Sequence, residues 1–83
     1  MDFKTTNVTV KRETDISTFI SNVINTASKS MQCVFLQKGT ARIDAKSILG
    51  ILALGINTGD EVELISEDAD ILQELATVLE SGK

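Results

Sequence analysis

The sequence predicts an α+β fold in the order β-α-β-β-α-β-α, one four-stranded antiparallel sheet with three helices on a single face. Three observations predict it. Four short segments, two rich in β-favouring residues and two alternating polar with apolar, are bounded by polar or Gly-containing turns. Between and after them lie three stretches whose apolar residues recur at helical rather than alternating positions. The chain has 83 residues, a length for one domain spanning 1–83 and one modest core, which an open-faced sandwich supplies.

Residues 3–10 form the first strand, with Val8 and Val10 two apart on one face, and Lys11 to Thr14 is a polar loop. Asp15 or Thr14 caps the first helix, because either side chain can accept from the free N–H groups of a first turn. Ile16, Phe19, Ile20, Val23, Ile24 and Ala27 then make an apolar stripe opposite Ser, Thr and Asn. Met31 to Gln37 and Ala41 to Ala45 are two strands of a hairpin turning at Lys38-Gly39-Thr40. Inward-facing Val34, Leu36, Ile43 and Ala45 would leave Met31, Cys33 and Phe35 on the other sheet face.

Ser47 stands where an N-cap belongs and Gly55 where a C′ glycine belongs. The helix between them has about two turns and is almost wholly apolar, so one side cannot bury all of it. Asn57-Thr58-Gly59-Asp60 is a turn, and Glu61 to Ile65 alternates acid and aliphatic as a half-exposed strand does. Ser66 to Asp68 caps the last helix. Its buried stripe is Ile71, Leu72, Leu75, Val78 and Leu79, and Gly82 stops it.

Composition narrows the function. Formal net charge is −4 and the basic residues are scattered, with Lys11-Arg12 the one adjacent pair, so no nucleic-acid partner is expected. No apolar run approaches the roughly 18–20 residues that cross a bilayer, and Met1-Asp2-Phe3-Lys4 has no apolar core of a signal peptide. The expectation is a cytoplasmic protein without a membrane partner. Cys33 is the one cysteine, expected as a small sheet residue. Histidine is absent, and so are Tyr and Trp, which removes imidazole metal ligands, Ser-His-Asp triads and phosphohistidine. No metal, cofactor or enzymatic activity is expected. The composition suits a binding or regulatory module.

The run Ala45-Lys46-Ser47-Ile48-Leu49-Gly50-Ile51-Leu52-Ala53-Leu54-Gly55-Ile56 resembles the serine-site signature of the HPr family, the small phosphocarriers of the bacterial sugar phosphotransferase system. Thr58-Gly59-Asp60-Glu61-Val62 and Thr26-Ala27-Ser28-Lys29 extend the similarity, and the element order agrees along essentially the whole chain. The resemblance implies the family's open-faced sandwich. It does not imply phosphocarrier activity, because the family's Gly-Ile-His-Ala-Arg-Pro motif is replaced by Arg12-Glu13-Thr14-Asp15-Ile16-Ser17-Thr18-Phe19. The accepting histidine would fall near Ile16 or Ser17, and neither side chain carries an N-linked phosphoryl group. Asp15 is the one chemically reasonable substitute, as an acyl phosphate, against its ordinary role as a helix cap.

The resemblance also points to Ser47. In Gram-positive members the corresponding serine is phosphorylated by a dedicated kinase that is also its phosphatase, and the product binds a catabolite-control transcription factor. A paralogue, Crh, lacks the active histidine and keeps this serine, so the present pattern is Crh-like in logic. The plain alternative is a helix cap. Ile48, Leu49 and Leu52 form the expected exposed side of the short helix, corresponding to the family's partner surface, with Lys46 and Lys29 beside it and Thr18 where the family carries an arginine. Protein partners are therefore expected: the serine kinase/phosphatase, the transcription factor or other phosphotransferase-system proteins. Three functions remain: a non-catalytic regulatory domain, a carrier using Asp15, or a divergent domain with an unrelated partner. The expected state is a monomer or weak homodimer.

Overall fold

The structure is a computed structural model and describes residues 2–82; Met1 and Lys83, the two ends of the expected 1–83 domain, lie outside it. The elements are β1 (Lys4–Thr9), α1 (Ile16–Ala27), β2 (Val34–Lys38), β3 (Ala41–Asp44), α2 (Ile48–Leu54), β4 (Glu61–Ser66) and α3 (Ala69–Ser81). Their order is the one the sequence predicts. The four strands pair antiparallel in the order β1-β4-β2-β3, so β4 and β2 are central and β1 and β3 are edges.

Alternation along the strands sets the core. Val8, Val62, Leu64, Val34 and Leu36 point to the helical side and are buried. They meet Phe19, Val23 and Ala27 of α1, Ile51 and Leu54 of α2, and Ile71, Leu72, Leu75 and Leu79 of α3. Ile43 and Val78 are half-buried against this cluster. Each helix is capped by a side chain already suited to it: Asp15 accepts from the Thr18 N–H, Ser47 from Gly50, and Asp68 from Asp70 and Ile71. Gly55 ends α2 at φ 65°, a left-handed conformation in which a Cβ is costly.

Two expectations are corrected. β2 begins at Val34, so Met31 and Cys33 are exposed in the connection from α1 and not on a sheet face. Side chains, two of them distant in sequence, take the backbone groups there: Ser30 Oγ accepts the Gln32 N–H, Lys46 Nζ donates to the Ser30 and Gln32 carbonyls, and Ser66 Oγ donates to the Cys33 carbonyl. With those groups satisfied by side chains, the ladder does not extend into this segment. Ile16 is the second correction. It opens the apolar stripe of α1, yet as the first helical residue it overhangs the core and is 40% exposed.

The sheet's other face carries a small apolar cluster. Phe35 pairs with Ile65, and the Phe3 and Phe35 ring centroids are 6.4 Å apart. The Arg42 guanidinium lies 5.9 Å from the Phe35 centroid. Ile65 is buried although it faces away from the helices, and these neighbours account for the survival of Phe35 on an otherwise polar face.

Candidate functional site

α1 and α2 lie side by side, and their first turns bound a groove of about 270 Å³ lined by Ile16, Ser17, Ile20, Ser21, Ile48 and Leu52. Its rim is apolar and open to solvent. Ile48 is 57% exposed, Leu49 79% and Leu52 50%, while Ile51 and Leu54 of the same helix are buried. A seven-residue helix lying flat on a sheet edge buries only the residues on its underside, and the remaining aliphatics of an all-apolar helix must face water. Gly50 allows that close seat: a Cβ there would lie 3.1 Å from Ile43 Cβ on β3.

Ser47 is the N-cap of α2, its Oγ accepting the Gly50 N–H at 3.0 Å. Lys46 does not reach over the groove. Its Nζ donates to the carbonyls of Ser30 at 2.8 Å and Gln32 at 3.0 Å, tying the start of α2 to the turn after α1. Lys29, expected beside the patch, pairs instead with Glu74 of α3 at 3.7 Å. Thr18 is exposed on the first turn of α1, and its N–H is taken by Asp15 Oδ1 at 2.8 Å. That backbone hydrogen bond, first among several, holds the Asp15 carboxyl below its usual 3.8. Asp15 is thus an ionised cap.

Arg12 lies in the loop ahead of α1, with its backbone N–H and carbonyl both bonded to Thr58 Oγ1. Among the described residues, Arg12 Nε and Thr14 Oγ1 are buried without a hydrogen-bond partner. A second recess of about 280 Å³ lies on the open sheet face, lined by Asn7, Gln37, Glu61 and Glu63, away from α1 and α2. No group of three or more Cys, Asp or Glu among the described residues is placed to hold a metal ion. No helix there is long and apolar enough to cross a membrane.

The structure brings Ile16, Ser17, Ile48 and Leu52 together, with Ser47 and Thr18 on the first turns of their helices. Sequence reasoning assigned Ile16 to the core stripe and overlooked Ser21, whereas Ile20 of the same stripe is buried as expected and also lines the groove. Helical spacing places Ser21 one turn beyond Ser17 on the same side, which was the available signal.

The family model described as the PTS HPr component phosphorylation site matches residues 4–81. The chain belongs to the HPr family. The HPr-like protein Crh of Bacillus subtilis (strain 168) is 38% identical over 47 residues, which is 57% of this chain and 55% of that protein. The phosphocarrier protein HPr of Treponema pallidum (strain Nichols) is 32% identical over 56 residues, 68% of this chain and 64% of its own length. The alignments thus span less than two thirds of either relative. Among solved structures, the phosphocarrier protein HPr from Bacillus anthracis str. Ames superposes with a TM-score of 0.85 at 24% identity, covering 94% of this chain and 98% of that one. The HPr open-faced sandwich is the fold of this chain. No histidine occurs anywhere in this HPr-family chain.

Proposed function

We propose that this HPr-family chain is a non-catalytic regulatory or interaction module of the phosphotransferase system. Partners dock on Ile48, Leu49 and Leu52, with Thr18 and Lys46 at the edge of the surface, and phosphorylation of Ser47 controls the contact. The supporting observation is the exposure of three large aliphatics on one short helix, contiguous with Ile16 and beginning at Ser47. An apolar patch of this kind on a small protein is an interface feature. A phosphate on Ser47 adds about −1.5 to −2 units of charge at its edge. The candidate partners are the serine kinase/phosphatase of the family and a catabolite-control transcription factor or another protein of the system.

A phosphoryl carrier using Asp15 is the competing function. The commitment of Asp15 Oδ1 to the Thr18 N–H favours its role as a cap. Incubation of the purified chain with a family serine kinase and ATP should give an acid-stable phosphate that maps to Ser47 and disappears in Ser47→Ala. Labelling by enzyme I and phosphoenolpyruvate with a hydroxylamine-sensitive phosphate would instead make it a carrier.

A further inference from the structure

The connection from α1 to β2 is fixed by side chains rather than by a strand ladder. The carbonyls of Ser30 and Gln32 both accept from Lys46 Nζ, at 2.8 and 3.0 Å, and that of Cys33 accepts from the buried Ser66 hydroxyl. Ser30 Oγ accepts the Gln32 N–H and donates to Asp68. Met31, in the middle of the segment, is fully exposed. Lys46 holds two of these carbonyls as a cation without an anionic partner. The ion pairs among the described residues are Lys11–Glu13, Lys29–Glu74 and Lys38–Asp60. Asp44, two residues before Lys46, takes its backbone N–H at Oδ1 and not its ammonium. The next residue in the chain is Ser47.

We infer that Lys46 carries the charge state of Ser47 to the Ser30–Cys33 connection: a phosphate on Ser47 draws the ammonium off the two carbonyls, and the connection opens. The inference rests on the Ser47 function above and adds how the fold responds to it. A phosphate brings about −1.5 to −2 units of charge, whereas the carbonyls that now hold Lys46 are neutral dipoles. The flexible four-carbon stem lets the ammonium turn toward the next residue while Asp44 keeps the Lys46 backbone in place. Asp68 still anchors Ser30 and Ser66 still anchors Cys33, so the opening is confined to Met31 and Gln32, both already exposed. Phosphorylation is thereby felt at a second place, away from the apolar patch of α2.

Amide hydrogen exchange of the full chain, followed residue by residue by NMR, tests the inference. Ligating a synthetic 33–83 segment through Cys33 places phosphoserine at 47 without a kinase, and the unmodified chain is made in the same way. With phosphate present, the Gln32 amide should exchange at least about fivefold faster. Leu64, on the central strand β4, should not change and serves as the measure of global stability. Lys46→Met should show the same acceleration without phosphate, and phosphate should add nothing to it. Should Lys46→Met loosen the whole fold, Leu64 accelerates as well, and the ratio of the two rates separates local from global opening. Gln32 exchange that ignores the phosphate, or ignores Lys46→Met, overturns the inference and leaves the Ser47 function standing. A family serine kinase that leaves Ser47 unlabelled removes that function, while the ligated chain still decides whether Lys46 couples the two sites.

Discussion

Ser47 serves two demands with one oxygen. As the N-cap it satisfies the Gly50 N–H, and as a half-buried hydroxyl at the edge of the patch it is the proposed phosphate acceptor. Removing the oxygen by Ser47→Ala should cost about 1 kcal/mol, which lowers the melting temperature of a domain this size by roughly 4–8 °C. Ser47→Asp keeps an acceptor at the cap and should melt close to wild type; a loss as large as that of the alanine variant would count against the capping geometry. Asp68 shows the same economy on α3. Its Oδ1 caps the helix while its Oδ2 accepts from the Ser30 hydroxyl at 2.7 Å, fastening the turn after α1 to the start of α3.

At the scale of elements, α2 is the piece whose stability is wholly borrowed. Seven residues cannot hold a helix in water alone, so α2 exists because Ile51 and Leu54 are buried against β3 and α1. Ile51→Ala, at a 1% exposed position, should therefore cost about 2–5 kcal/mol. Leu52→Ala, one residue on and half exposed, should cost under about 1.5 kcal/mol, the contrast being read from urea midpoints at constant m-value. Gly50→Ala improves helix propensity by about 1 kcal/mol in an open helix. Here the new Cβ would stand 3.1 Å from Ile43 Cβ and 3.3 Å from Ser47 Cβ, both fixed to the backbone and unable to swing aside. A lowered melting temperature is expected; a raised one would mean that α2 can lift off β3.

Across the whole molecule, three carboxylates at element junctions share one electrostatic direction. Asp15 is held below 3.8 first by the Thr18 backbone N–H, Asp60 by Lys38, and Asp68 by the Ser30 hydroxyl. Lys38 links Asp60 at 2.8 Å to the Gly55 carbonyl at 2.7 Å, so the end of α2 and the entry to β4 are tied through one ammonium. A carboxyl whose folded pKa is depressed stabilises the fold fully above its unfolded value and loses that contribution as pH falls through the folded one. Stability should thus be nearly level from pH 7 to about 5 and decline as pH drops through about 4 and below. Urea unfolding at stepped pH measures this. A maximum below pH 4 would contradict all three assignments.

The order of elements, their caps and most of the core were legible because each rests on local chemistry. Asp15, Ser47 and Asp68 are good caps in any context, and Val34, Leu36, Val62 and Leu64 alternate as a half-covered sheet requires. The family pattern around Ser47 was legible for the same reason, being one continuous run. What periodicity could not decide was which apolar residues would find cover. Ile16 has the spacing of a core residue and is exposed, and Ile65 alternates outward and is buried beside its cross-strand partner Phe35. Met31 and Cys33 look like strand and lie in a turn, because Lys46 and Ser66, distant in sequence, take the carbonyls nearby. The sequence by itself determined the elements, the absence of imidazole chemistry and the missing charges of α1 and α2. Only the tertiary structure decided that α1 and α2 meet in one uncharged apolar groove, because burial depends on what the rest of the chain brings alongside and not on any residue's own preference.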